Sequence, residues 1–109
     1  MRKAEVFSNR ELAGTLIEEN KQSYVFRYDD LYFTDKSKPA ISLTMPKSQQ
    51  EYRSKILFPF FFNMLSEGAN RNLQCSQLKI DTDDNFGLLT ATANSDTIGA
   101  ITVKPVFEK

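Results

Sequence analysis

The sequence predicts an α+β domain: a mainly antiparallel sheet, made from an N-terminal meander and one C-terminal strand, with about three short helices packed on it. Three observations predict it. Residues 3–28 alternate apolar and polar side chains in runs separated by short polar turns, the pattern of a meander. Residues 52–93 change to helical spacing, with a proline-headed phenylalanine cluster and an acidic helix-start signal. Residues 97–103 then return to strand composition, ahead of Pro105. With 109 residues and no repeat, low-complexity tract or linker, one domain spanning residues 1–109 is expected.

In the first strand, residues 3–7, Ala4 and Val6 face one way and Lys3 and Glu5 the other. Ser8, Asn9 and Arg10 suit a tight turn, because asparagine tolerates positive φ. Residues 12–18 read as the return strand, with Leu12, Gly14 and Leu16 on one face and Ala13, Thr15 and Ile17 on the other. A second turn over 19–22 leads to residues 24–28, where Tyr24, Phe26 and Tyr28 share a face. Leu31, Tyr32 and Phe33 are too few to assign, and 34–39 is a polar loop. Ile41, Leu43 and Met45 alternate with Ser42 and Thr44, which predicts a strand over 40–45 ending at Pro46. Tyr52, Ile56, Phe60 and Met64 repeat every four residues, which predicts that helical structure begins near Tyr52 and is split or restarted at Pro59.

Four of the nine phenylalanines fall within five residues: Phe58, Phe60, Phe61 and Phe62. Pro59 suits a first helical turn, where a missing N–H costs nothing. Successive side chains on a helix lie about 100° apart, so one face cannot bury all three consecutive rings. Either different neighbours cover different rings, or one ring stands exposed for a partner. The polar run that follows, Ser66 to Arg71, reads as a helix stop with Gly68 as a left-handed cap, then an exposed loop. A second short helix is expected over 70–78, with Cys75 as a buried free thiol. The short acceptors of Asp81, Thr82, Asp83 and Asp84 predict the start of another helix, 84–93, burying Phe86, Leu88, Leu89 and Ala93.

The chain holds 14 basic and 14 acidic residues and no histidine, so its formal net charge is zero. That balance argues against binding nucleic acid by phosphate neutralisation and against a polybasic membrane anchor. The lone cysteine cannot make an internal disulfide, which suits a reducing compartment. The N-terminal residues lack an apolar signal core and no run is long enough to span a bilayer, so a cytoplasmic protein is expected. One cysteine without histidine cannot close a zinc site. The acidic run from Asp81 fails as a calcium loop: its sixth position is Phe86 and its twelfth is Thr92, where glycine and glutamate are needed. Four scattered glycines make no phosphate loop, and Asp84-Asn85-Phe86-Gly87 carries one residue too many for a kinase D-F-G. No enzyme and no cofactor are expected.

Three ordered motifs resemble a family. Phe60-Phe61-Phe62-Asn63-Met64-Leu65-Ser66-Glu67-Gly68-Ala69-Asn70-Arg71 resembles the F-F-D-N-L-L-P-E-G-x-x-R segment of HipA-type toxin kinases. Asp83-Asp84-Asn85-Phe86-Gly87-Leu88-Leu89 resembles the D-x-D-x-F-x-L-L that follows it, and Ser95-Asp96-Thr97-Ile98-Gly99-Ala100-Ile101 resembles the family's G-D-x-x-G-A-V. The opening residues 4–7 and 12–16 are similar to its first hairpin. The resemblance covers nearly the whole chain, but only the N-terminal subdomain of such a kinase; the ATP-binding and catalytic parts have no counterpart. It implies a non-catalytic antitoxin of the tripartite HipBST kind, whose partners are a HipT-like Ser/Thr kinase toxin and, in a larger complex, a HipB-like DNA-binding protein. It also implies a partner-binding segment comprising Asn63, Ser66, Glu67, Gly68, Ala69, Asn70 and Arg71. A different class of role fits the same resemblance: a structural subunit that completes the kinase fold without inhibiting it. Family members often carry proline at the place of Ser66 and a bulky residue, often tryptophan, at the place of Ala69. A pocket plugged by that ring cannot be plugged by Ala69.

Overall fold

Asn9 and Arg10 both take positive φ, 50° and 69°, and join the first two strands by a two-residue hairpin turn. Paired left-handed residues give such a turn the twist of the strands it connects. This is a computed structural model, and it describes residues 1–65, 68–93 and 101–106, with the backbone alone for 68 and 69. Its elements are β1 (Arg2–Ser8), β2 (Glu11–Asn20), β3 (Ser23–Tyr28), α1 (Asp30–Thr34), β4 (Glu51–Ser54), α2 (Pro59–Phe62), α3 (Gly68–Leu78), α4 (Asn85–Thr92) and β5 (Ile101–Val106). The sheet runs β4-β3-β2-β1-β5, every neighbouring pair antiparallel. The α+β class, the meander and the C-terminal strand are as the sequence predicts.

Register places the inner face in rows. Pro105, Ala4, Leu16, Phe26 and Tyr52 stand opposite one another across all five strands. Val103, Val6, Gly14 and Tyr28 form the next row. Helices α2 and α4 cover these rows with Phe61, Phe86, Leu88 and Leu89, all buried. The third row is polar: Arg2, Glu18, Tyr24 and Ser54. The inner face thus ends in charge, and that end lies under the start of α4.

Several elements differ from the sequence-based expectation, each for a physical reason. A bulge sets Leu12 and Ala13 together opposite Phe7, which breaks the alternation. Ala13 is therefore fully buried alongside Gly14 and Leu16, and Leu12 is only half-buried. Residues 40–45 form no strand. Their alternation arises in a loop pinned at two points, Ile41 and Met45, with Leu43 between them 99% exposed. The Tyr28 hydroxyl pins both ends: it accepts from the Ile41 N–H at 3.1 Å and donates to the Met45 carbonyl. The four-residue spacing from Tyr52 is likewise not a helix. Tyr52 lies on edge strand β4, opposite Phe26, whereas Ile56 is 67% exposed. Glu51 and Arg53 give β4 the charged character that protects sheet edges.

The strand expected over 97–103 is described from Ile101, and it continues through Pro105 to Val106. β5 is the other edge, where a proline is tolerated because a ladder is needed on one side only. Residues 97–100 lie outside the described residues, as do Ser95 and Asp96. The short segment after β3 is a helix, α1, capped by Asp29 and anchored by buried Tyr32, whose ring stacks on Tyr28 at 6.0 Å.

Candidate docking site

The phenylalanine cluster builds the site from below. Pro59 occupies the first turn of α2, and the N–H groups of Phe61 and Phe62 both donate to the Phe58 carbonyl at 2.9 Å. Phe61 is fully buried, with Phe26, Phe58 and Phe60 rings within 5.2–6.4 Å. Phe58 is buried and Phe60 packs against the core as a partly buried residue. Phe62 is the ring left out, 43% exposed, with exposed Asn63 beside it. Of the three consecutive rings, different neighbours cover two, and the third, Phe62, is exposed.

α2 closes itself. The N–H groups of Met64 and Leu65 donate to Phe61 and Phe62, and buried Leu65 returns the chain to the core. Gly68 consequently has no cap to make. It is the first residue of α3, and Ala69, Asn70 and Arg71 are helical rather than part of a loop. Ser66 and Glu67, expected at the tip, lie outside the described residues. Asn70 is exposed on the first turn of α3. Arg71 is half-buried and bound to the segment before α4: its Nε and Nη2 donate to the Thr82 carbonyl at 3.2 and 2.7 Å, and Nη2 also to Asn85 Oδ1 at 2.6 Å. Of the expected site, then, the described structure puts Asn63 and Asn70 on the surface and leaves Arg71 half-buried.

α3 otherwise shows solvent a mixed face. Leu73 is 57% and Leu78 46% exposed, while Cys75 is a buried free thiol, as expected. The helix ends on Lys79 at φ 58°, with the Ile80 N–H donating back to the Cys75 carbonyl at 2.9 Å. This is the left-handed closure usually given to glycine.

Sequence reasoning missed the polar end of the sheet. Arg2 donates from Nε to Glu18 at 2.8 Å and forks to Asp84 through Nη1 and Nη2 at 2.9 and 2.7 Å. Its guanidinium also lies 5.1 Å from the centre of the Phe86 ring. Tyr24 donates to the other oxygen of buried Glu18 at 3.1 Å. Asp84 caps α4 by accepting from the Gly87 N–H at 3.0 Å. The Arg2 hydrogen bond, opposed by burial and helped by the Gly87 N–H, holds the Asp84 carboxyl below the usual aspartate range. Burial first, and the Glu18 charge next, push the Tyr24 hydroxyl up to about 12. Asp84 is legible in the sequence as a cap; its pairing with Arg2 requires the register and is not. Among the described residues, no group of three or more potential metal ligands comes together and no helix is long and apolar enough to cross a membrane.

The five-stranded antiparallel sheet is backed by helices, and Phe62, Leu73 and Leu78 on those helices are exposed. The chain belongs to the HipA N-terminal domain family, whose model matches residues 4–104. A solved structure described as the N-terminal domain of HipA toxin is similar to it with a TM-score of 0.73 at 25% identity, over 100% of this chain and 96% of that one. No curated protein matches.

Proposed function

We propose that this protein is a HipS-like antitoxin: a non-catalytic, cytoplasmic domain that binds a HipT-type Ser/Thr kinase toxin and suppresses it within a tripartite system that includes a HipB-like DNA-binding protein. The observation that carries the reading is the match to the HipA N-terminal domain along the whole chain. On this reading the domain acts on the kinase by contact rather than by chemistry of its own. The proposed contact surface lies between α2 and α3 and comprises Asn63, Ser66, Glu67, Gly68, Ala69, Asn70 and Arg71. Exposed Phe62 adds an apolar anchor next to Asn63, and aromatic rings in such positions often dominate interface energetics.

Binding suppresses a kinase only if the protein favours an inactive state of it. Ala69 offers no side chain to plug a nucleotide pocket, so the coupling is proposed to arise by displacing the kinase's phosphate-binding loop. The alternative, a structural subunit that completes the kinase fold without inhibiting it, uses the same surface. Autophosphorylation of the partner kinase, measured with and without this protein, separates them. The antitoxin reading predicts loss of activity at saturating protein; full activity in a demonstrated complex supports the structural subunit instead.

A further inference from the structure

Among the described residues of helix α3, Cys75 is buried, whereas Leu73 and Leu78 are exposed. Its polar ties among the described residues run to the segment that leads into α4: Arg71 donates to Thr82 and Asn85, and the Cys75 thiol lies 4.0 Å from the Asp81 carbonyl. That segment is fixed in turn. The Asp84 N–H donates to the Asp81 carbonyl at 2.9 Å, and the Asp84 side chain is gripped by Arg2. Arg2 is held by buried Glu18 on β2.

We propose that Glu18, Arg2, Asp84 and Arg71 form one polar relay that sets the position of α3 against the sheet, which makes Arg71 a positioning residue for α3. Arg71 then matters to a partner because it places Asn70 and the start of α3. This last clause rests on the docking reading above, whereas the relay is a property of the free chain and is tested there.

Cys75 is the chain's single cysteine and lies buried on α3, so its labelling by a thiol reagent reports opening of that helix. The measurement compares wild-type protein with Arg71→Ala, Arg71→Lys and Asp84→Ser, alongside amide exchange of β2 and β3. Serine keeps a capping oxygen for α4 but is too short to reach Arg2. Lysine keeps charge and stem but cannot fork between two acceptors. The relay predicts labelling faster by about tenfold in Arg71→Ala and by about fivefold in Asp84→Ser, with Arg71→Lys also faster than wild type and sheet amides unchanged. A wild-type rate in Asp84→Ser overturns the relay, since the relay runs through Asp84. A wild-type rate in Arg71→Lys also overturns it. So does loss of sheet protection by the same factor as the gain in labelling, which would mean general destabilisation. With no kinase in the experiment, failure here leaves the antitoxin reading standing, and failure of kinase binding leaves the relay standing.

Discussion

At Gly14 the absence of a side chain is a packing requirement. A Cβ built there meets the Arg27 carbonyl and comes within 2.8 Å of the Phe26 ring, which lies over the glycine. Backbone on one side and a fully buried ring on the other leave little room to yield. Gly14→Ala is expected to destabilise the fold by roughly 1–3 kcal/mol in equilibrium denaturation. The tyrosines of the inner face make a second residue-scale prediction. Burial pushes the hydroxyls of both Tyr24 and Tyr28 from the ordinary 10.0 up to about 12. A raised folded value means that the fold favours the neutral form. Stability is therefore full below pH 10 and falls as pH rises through about 12. Denaturation followed against pH, together with tyrosinate absorbance, checks this; unchanged stability across that window contradicts it.

Among the elements, α3 carries a removable strain. Lys79 adopts the left-handed conformation that closes the helix, at φ 58°. Lys79→Gly relieves the Cβ penalty and is expected to stabilise the protein by about 1 kcal/mol, read as a shift in denaturation midpoint. The elements also show which signals in the sequence were sufficient. The meander and α4 were legible because the large buried side chains keep a period, Tyr24, Phe26 and Tyr28 at two and Phe86, Leu89 and Ala93 at helical spacing, although buried Val25 and the β2 bulge interrupt it. The helix opened by Pro59 was legible too, but residues 40–45 and the four-residue repeat from Tyr52 were not. In the first, a tyrosine hydroxyl from another strand holds the backbone, so alternation has no sheet behind it. In the second, one apparent helical period is assembled from a strand, an exposed loop residue and a four-residue helix. Gly68 misled for a related reason: it follows an apolar run, but α2 had already closed five residues earlier through its own backbone.

For the molecule as a whole, the architecture and the family were legible and the polar end of the sheet was not. Arg2, Glu18 and Asp84 are separated by 16 and 82 positions from Arg2 outward, and the β1–β2 register together with the placing of α4 over the sheet brings them together. Of the residues expected at a docking surface, Asn63 and Asn70 are exposed, while Arg71 is half-buried through contacts that local sequence does not encode. The central claim is that this domain acts by binding a kinase in a state that nucleotide disfavours. Linkage makes that claim reciprocal, so bound nucleotide must weaken the protein's affinity by the factor with which the protein weakens nucleotide binding. The direct measurement is a calorimetric titration of this protein into the HipT-type kinase, with and without a saturating non-hydrolysable ATP analogue. The account predicts weaker binding in the presence of the analogue; equal affinity in both conditions contradicts it.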